Sequence, residues 1–159
     1  YLDEAGFSAV HPNRSAWTQV GEQHCIDAPR GERLNVMAAW LSSGTIVPAQ
    51  YWKTTNALVF LGFLMQLLAQ VSKPLVVILD NASIHKAQAI QSALKVLQEE
   101  NGLTLYFLPA YSPELNRIEM LWHTMKHRWL EACHRTKETL ERDIKHVFDN
   151  FGEKYQLDF

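Results

Sequence analysis

The run Leu75 to Leu79 (LVVIL), closed by Asp80, constrains this chain more than any other stretch. A continuous apolar run lacks the alternation of a strand with one wet face. It reads as a short strand buried on both faces, as in parallel sheets covered by helices. Such a sheet needs helical crossovers, and the flanking residues supply them. Upstream, Thr55 or Asn56 caps a helix running to about Val71, apolar nearly all round, which Lys73-Pro74 ends. Downstream, Ala87, Ile90, Leu94 and Leu97 repeat at helical spacing as far as the stop Asn101-Gly102. Leu103 to Leu108 (LTLYFL) is the next strand. Pro113 then opens a helix expected to reach about Cys133, with Leu115, Ile118, Leu121, Trp122, Met125 and Trp129 on one buried stripe. A last helix starts near Thr136 and carries Leu140, Ile144, Val147, Phe148 and Phe151 on one face.

The first third reads as β. Tyr1 to Asp3 begins an extended segment, Ala16 to Val20 is a short one, and Leu34 to Leu41 is a stronger apolar strand. Ser42-Ser43-Gly44 turns the chain into Thr45 to Tyr51. Gly21 to Arg33 is polar, with a proline and two glycines, and reads as an exposed loop. A meander followed by βαβ units predicts an α/β chain with a mixed five-stranded sheet flanked by helices. That layout fits the RNase H-like fold, although pattern alone leaves flavodoxin-like and other α/β folds open.

The 159 residues suffice for one domain with its own core. A formal net charge of −2, from 15 basic and 17 acidic side chains, is not that of a module holding DNA by charge alone. Cys25 and Cys133 match neither a zinc spacing nor a disulfide framework, and read as free thiols of a reducing, cytoplasmic setting. The longest apolar stretch, Ala57 to Ala69, is too short to span a bilayer, so no membrane partner is expected. The sequence opens at Tyr1 as if cut at a strand, and an upstream segment is expected.

Three carboxylates stand out. Asp80 closes a buried strand, at the rim where α/β sheets place their ligands, although an Asp-Asn pair also suits a turn or a helix cap. Asp3 lies beside Asp80 if its segment is the central strand. Two adjacent carboxylates repel unless a divalent cation neutralises them. Glu4 is a competing ligand, but neighbouring strand residues face opposite sides, so Asp3 and Glu4 cannot both serve one site. Glu119 borders the apolar stripe of its helix, where a solvated glutamate is the plainer reading.

The string LPAYSPELNRIEMLW, with LDEAGF and LDNASIHKA, is the most specific text in the chain. Together these blocks resemble the catalytic domain of the mariner-like superfamily of DDE transposases, in its bacterial insertion-sequence branch. The matching positions are Asp3; Asp80, Asn81 and His85; then Tyr111, Ser112, Pro113, Leu115, Asn116, Ile118 and Glu119. Arg117 stands where the family commonly has proline, and the Asp80 to Glu119 gap is slightly longer than usual. The resemblance implies an RNase H-like catalytic domain over residues 1–159, without the family's N-terminal helix-turn-helix region. It implies Asp3, Asp80 and Glu119 as metal-binding catalytic residues for Mg²⁺ or Mn²⁺, with two ions expected. Asn81, His85 and Asn116 become candidates to orient ligands or touch substrate, beside a purely structural loop role.

The implied activity is hydrolysis of phosphodiester bonds at transposon ends, then transfer of the 3′-hydroxyl into target DNA. Arg117, Lys126, Arg128, Arg135 and Lys137 are candidate DNA contacts, against the plainer reading of a solvated helix face. The resemblance allows a homodimer, for which the helix Thr55 to Val71 and the loop Gly21 to Arg33 are the candidate contacts. It places the protein in the bacterial cytoplasm, on the nucleoid when in use. The alternatives are a nuclease that only hydrolyses, and a truncated or domesticated RNase H-like DNA- or protein-binding module without transposition activity. His123 and His127 form HxxxH without the glutamate of zinc proteases, and nothing reads DxDxT after a strand.

Overall fold

The computed structural model describes residues 1–9, 18–22, 33–71, 74–131, 133 and 135–157. Residues 23–32 of the expected loop Gly21 to Arg33, residues 16 and 17 of the segment Ala16 to Val20, Cys25 and Lys73 lie outside them. Of that segment, Val20 sits in a turn and is fully exposed, so no strand forms there among the described residues.

Five strands form one sheet in the order β3-β2-β1-β4-β5: β1 Leu2–Ser8, β2 Arg33–Trp40, β3 Ile46–Tyr51, β4 Leu75–Leu79 and β5 Leu103–Phe107. β1 and β2 pair antiparallel, as do β2 and β3, whereas β4 runs parallel to both β1 and β5. This is the expected mixed sheet, with the meander on one side of β1 and the βαβ units on the other.

Strand alternation divides the core in two. Leu2, Met37, Ala39, Val77 and Leu79 pack against Phe60, Phe63, Leu64 and Leu67 of α1 (Ala57–Gln70), with Ile90 and Leu94 beside them. Ala5, Phe7, Leu34, Val36 and Ala38 face the other way, onto Ile118, Leu121, Trp122 and Met125 and onto α4 (Lys137–Asp149). Asn56 caps α1 through the backbone N–H groups of Leu58 and Val59. The helix before β5 starts later than periodicity suggests. Two short 3₁₀ turns, Ser83–Lys86 and Gln88–Ile90, precede α2 (Gln91–Asn101), and Gly102 closes it at φ 66°.

The segment after Pro113 departs most from expectation. Instead of one continuous helix there is a 3₁₀ turn at Pro113–Leu115 and a break at Asn116, whose backbone is extended. Then come α3 (Glu119–Thr124) and a single π turn, Met125–Trp129, in which the Leu130 N–H reaches the Met125 carbonyl. Leu115, expected on the buried stripe, is half exposed. A six-residue helix has no independent stability in water. It is held by Ile118, Leu121, Trp122 and Met125, all buried, at roughly 1.5–3 kcal/mol per fully buried large apolar side chain.

Candidate active site

Parallel pairing of β1 with β4 fixes the first two carboxylates. Leu2 pairs with Leu79, so Asp3 and Asp80 each lie one residue further along neighbouring strands. Asp3 points toward α3 and is buried. Its Oδ2 accepts a hydrogen bond from the indole Nε1 of Trp122 at 3.0 Å. Six residues before Trp122, ahead of α3, Asn116 donates from Nδ2 to the carbonyl of Leu2 at 3.2 Å. These two bonds tie both ends of the short α3 segment to β1 and carry Glu119 to the Asp3 side of the sheet. The amide oxygen of Asn116, Oδ1, is buried without a hydrogen-bond partner among the described residues.

The electrostatics report the same proximity. Burial, followed by the charge of Glu119, pushes the Asp3 carboxyl up to about 7. A hydrogen bond from the Glu4 backbone opposes this, and the charges of Glu4 and Asp80 add to it. Burial and Arg33 push the Lys126 ammonium down, while Glu119 and Asp3 pull it up. Asp3, Glu119, Asp80 and Lys126 therefore belong to one electrostatic neighbourhood.

Asp80 is half exposed. Its Oδ1 accepts the Ala82 N–H at 3.1 Å and lies 3.1 Å from Nδ1 of His85. His85 is fully buried, its ring against that of Phe60, and its Nε2 lies 3.1 Å from Oε1 of Glu4. Burial alone lowers the His85 pKa, but the hydrogen bond and charge of Glu4, with Asp80, outweigh it and hold the imidazole above its ordinary value. As strand alternation requires, Glu4 faces away from Asp3, into the α1 layer.

The remaining candidates separate. Arg117 and Arg128 line, with Glu119 and His123, a groove of about 940 Å³ along α3. Lys126 lies over the Phe7 ring, Arg117 over Trp40 and Lys137 over Trp52. His123 and His127 stack on each other at 4.6 Å. Asn81 is exposed beside Asp80. Arg135 corrects the sequence reading. It is buried, with Nε on Asp143 at 2.8 Å and Nη1 on the Glu131 carbonyl at 2.8 Å, so its guanidinium braces α4 rather than meeting DNA. Sequence reasoning took Trp122 for core alone. Its place three residues after Glu119, on the same helix face, was the available signal.

Among the described residues, no three His, Cys, Asp or Glu side chains close into a metal cage. The donor chemistry nevertheless fits a hard divalent cation. A buried carboxyl raised by three neighbouring carboxylates is the environment that such a cation relieves, through oxygen ligands.

A family model described as DDE superfamily endonuclease matches residues 1–141. The chain belongs to this DDE endonuclease family. A 39 kDa protein of insertion element IS630 from Shigella sonnei is 30% identical over 128 residues, 79% of this chain but 36% of that protein. The chain thus spans about a third of the relative it matches. Two solved complexes of the mariner transposase Mos1 share the fold. A paired-end complex with Mn gives a TM-score of 0.73 at 23% identity, over 93% of this chain and 47% of that one. A paired-end complex with the left transposon end gives 0.72 at 20%, over 93% and 46%. The DDE endonuclease sheet described above is accordingly RNase H-like.

Proposed function

We propose that this DDE domain is the catalytic part of a transposase, cutting DNA at element ends and joining the 3′-hydroxyl to target DNA. The observation that carries the reading is the charge of Glu119 and of Asp80 acting on the buried carboxyl of Asp3. The three residues come from three separate segments, and only folding makes them neighbours. The IS630 relative and the Mos1 complexes with transposon ends support the same chemistry for this chain.

Asp3, Asp80 and Glu119 would hold Mg²⁺ or Mn²⁺, in line with the Mn-containing Mos1 complex. Divalent cations bound there make an attacking water or 3′-hydroxyl more acidic and stabilise the leaving oxygen. The chain's own groups do the rest. Trp122 fixes the Asp3 carboxylate by its Oδ2. Asn116 anchors the segment bearing Glu119 to β1. Arg117, Arg128 and Lys126 bring positive charge to the DNA backbone, and the net charge of −2 keeps that attraction weak and salt-sensitive. Assembly as a homodimer on two DNA ends is part of this reading.

The test is nicking of a supercoiled plasmid and strand transfer of a duplex with a free 3′-hydroxyl, both with Mn²⁺. Asp3→Asn, Asp80→Asn and Glu119→Gln should each abolish both reactions while leaving the circular dichroism spectrum unchanged. Full activity in any of the three would remove that residue from the site. Nicking without strand transfer would favour a purely hydrolytic nuclease.

A further inference from the structure

Glu4 and His85 take no part in the chemistry just described, yet they form the most deliberately built polar arrangement in the α1 layer. His85 is 1% exposed, and both of its ring nitrogens face oxygen atoms. On one side is Glu4 Oε1 at 3.1 Å, from the central strand. On the other is Asp80, its Oδ1 at 3.1 Å and its carbonyl at 3.4 Å. The ring cannot swing, because Phe60 packs on it at 4.4 Å between centroids and its backbone N–H is fixed on the Ala82 carbonyl.

Burying such a pair is a poor way to gain stability, since a well-packed apolar pair of similar volume does as well or better. What the pair does hold is Asp80. That carboxylate sits past the end of β4, half exposed, where no strand pairing restrains it. Both of its hydrogen-bonding neighbours, the Ala82 N–H and His85, converge on Oδ1, which leaves Oδ2 outside those contacts. A glutamate on β1 thus reaches through a histidine to set the rotamer of an aspartate on the next strand.

We propose that Glu4 and His85 are positioning residues that orient Asp80 for the divalent cation. Glu4 is therefore not a competing ligand but the outer anchor of one. The inference rests on the reading of Asp80 as a ligand. Outer-shell partners of this kind typically change metal affinity by about 10- to 100-fold when removed.

The experiment is Mn²⁺ binding by the DNA-free chain, followed by electron paramagnetic resonance of the free ion, for wild type, Glu4→Gln, Glu4→Ala, His85→Phe and Asp80→Asn. His85→Phe and Glu4→Ala should raise the dissociation constant by about tenfold or more. Glu4→Gln, which keeps an acceptor in place, should recover part of that loss. In cleavage assays the loss should be larger at limiting than at saturating Mn²⁺, with KM for DNA unmoved. Thermal melting separates a merely structural role: variants that melt lower but bind Mn²⁺ as wild type overturn the proposal. If Asp80→Asn binds Mn²⁺ as wild type, the assignment of Asp80 itself fails. If Asp80→Asn loses affinity while His85→Phe does not, only the present inference fails. Should His85→Phe not fold, Glu4→Ala still decides. So does the wild-type imidazole ¹⁵N spectrum, in which the His85 Nδ1 resonance should move on saturation with Mg²⁺; an unmoved resonance overturns the coupling.

Discussion

Trp122 donates its indole N–H to Asp3 Oδ2 across 3.0 Å, joining the helix that carries Glu119 to the strand that carries Asp3. The bond orients a buried carboxylate on which Glu119 exerts the largest charge effect. Trp122→Phe keeps most of the packing and removes the donor. A hydrogen bond to a charged group is worth about 1.5–3 kcal/mol, and the vacated indole volume adds to the loss. Urea denaturation should show a destabilisation of at least that size, and cleavage should fall with it. Unchanged stability would mean that the indole contributes packing alone.

Glu119 and Glu114 make a matched pair for substitution. Glu114 is exposed in the 3₁₀ turn and Glu119 stands in the first turn of α3. Each stands in the first turn of its own short segment, so the helix dipole does not separate them; the charge acting on Asp3 does. Glu119→Gln should abolish Mn²⁺-supported cleavage. It should leave the metal-free chain as stable as wild type or slightly more so at pH 8, because it removes the largest charge acting on Asp3. Glu114→Gln should retain most activity and cost at most about 1 kcal/mol. The reverse ranking in a nicking assay would move the active site off α3.

Stability should fall with pH in the metal-free chain. The Asp3 carboxyl is held at about 7 against an ordinary 3.8. Between those values the folded chain keeps a proton that the unfolded chain has released, so stability declines from about pH 4 to pH 7 and levels off above. His85 adds a decline of the same sign above its ordinary 6.5, because its folded value is raised. Asp3→Asn should flatten the lower part of the curve, and Mn²⁺ should restore the melting temperature at pH 8. A melting temperature rising from pH 4 to 7 in wild type, with no difference in Asp3→Asn, would falsify this account of Asp3.

Arg135→Ala should behave as a folding mutation. The side chain bridges part-buried Asp143 and two backbone carbonyls, and losing hydrogen bonds made by a charged group costs about 1.5–3 kcal/mol. Burial raises the Asp143 pKa, but Arg135 and Arg142 outweigh it and hold the carboxyl down, so this bridge should weaken as acid protonates Asp143. The salt dependence of DNA binding should be unaltered in whatever fraction stays folded. A reduced slope in a filter-binding series would return Arg135 to the DNA surface. Arg128→Ala should do the opposite, lowering the slope without touching stability.

Much of this was legible in the sequence, for identifiable reasons. The LVVIL strand, the Asn56 cap and the Asn101-Gly102 stop are local signals, and the structure repeats them, but burial of LVVIL on both faces fails: Val77 and Leu79 are buried, whereas Val76 on the other face is exposed. That Asp3 and Glu4 face opposite sides follows from strand geometry alone. The segment 113–130 was misread because apolar spacing fits an unbroken helix and a broken one equally. What breaks it is the long-range bond from Asn116 to Leu2, which no local window contains. The Glu4–His85 contact was hidden for the same reason, as it joins residues 81 positions apart. Arg135 looked like surface because charge in a sequence carries no sign of burial.

The register that sets Leu2 against Leu79 has a temporal consequence. The central strand is made before the other strands of this sheet, but its flank carrying Asp3 is completed only by β4 and then by α3. During synthesis Asp3 emerges long before Asp80, and Glu119 and Trp122 later still. A chain that stops before Trp122 therefore lacks the indole that holds Asp3, and one that stops before Glu119 lacks the largest charge acting on Asp3.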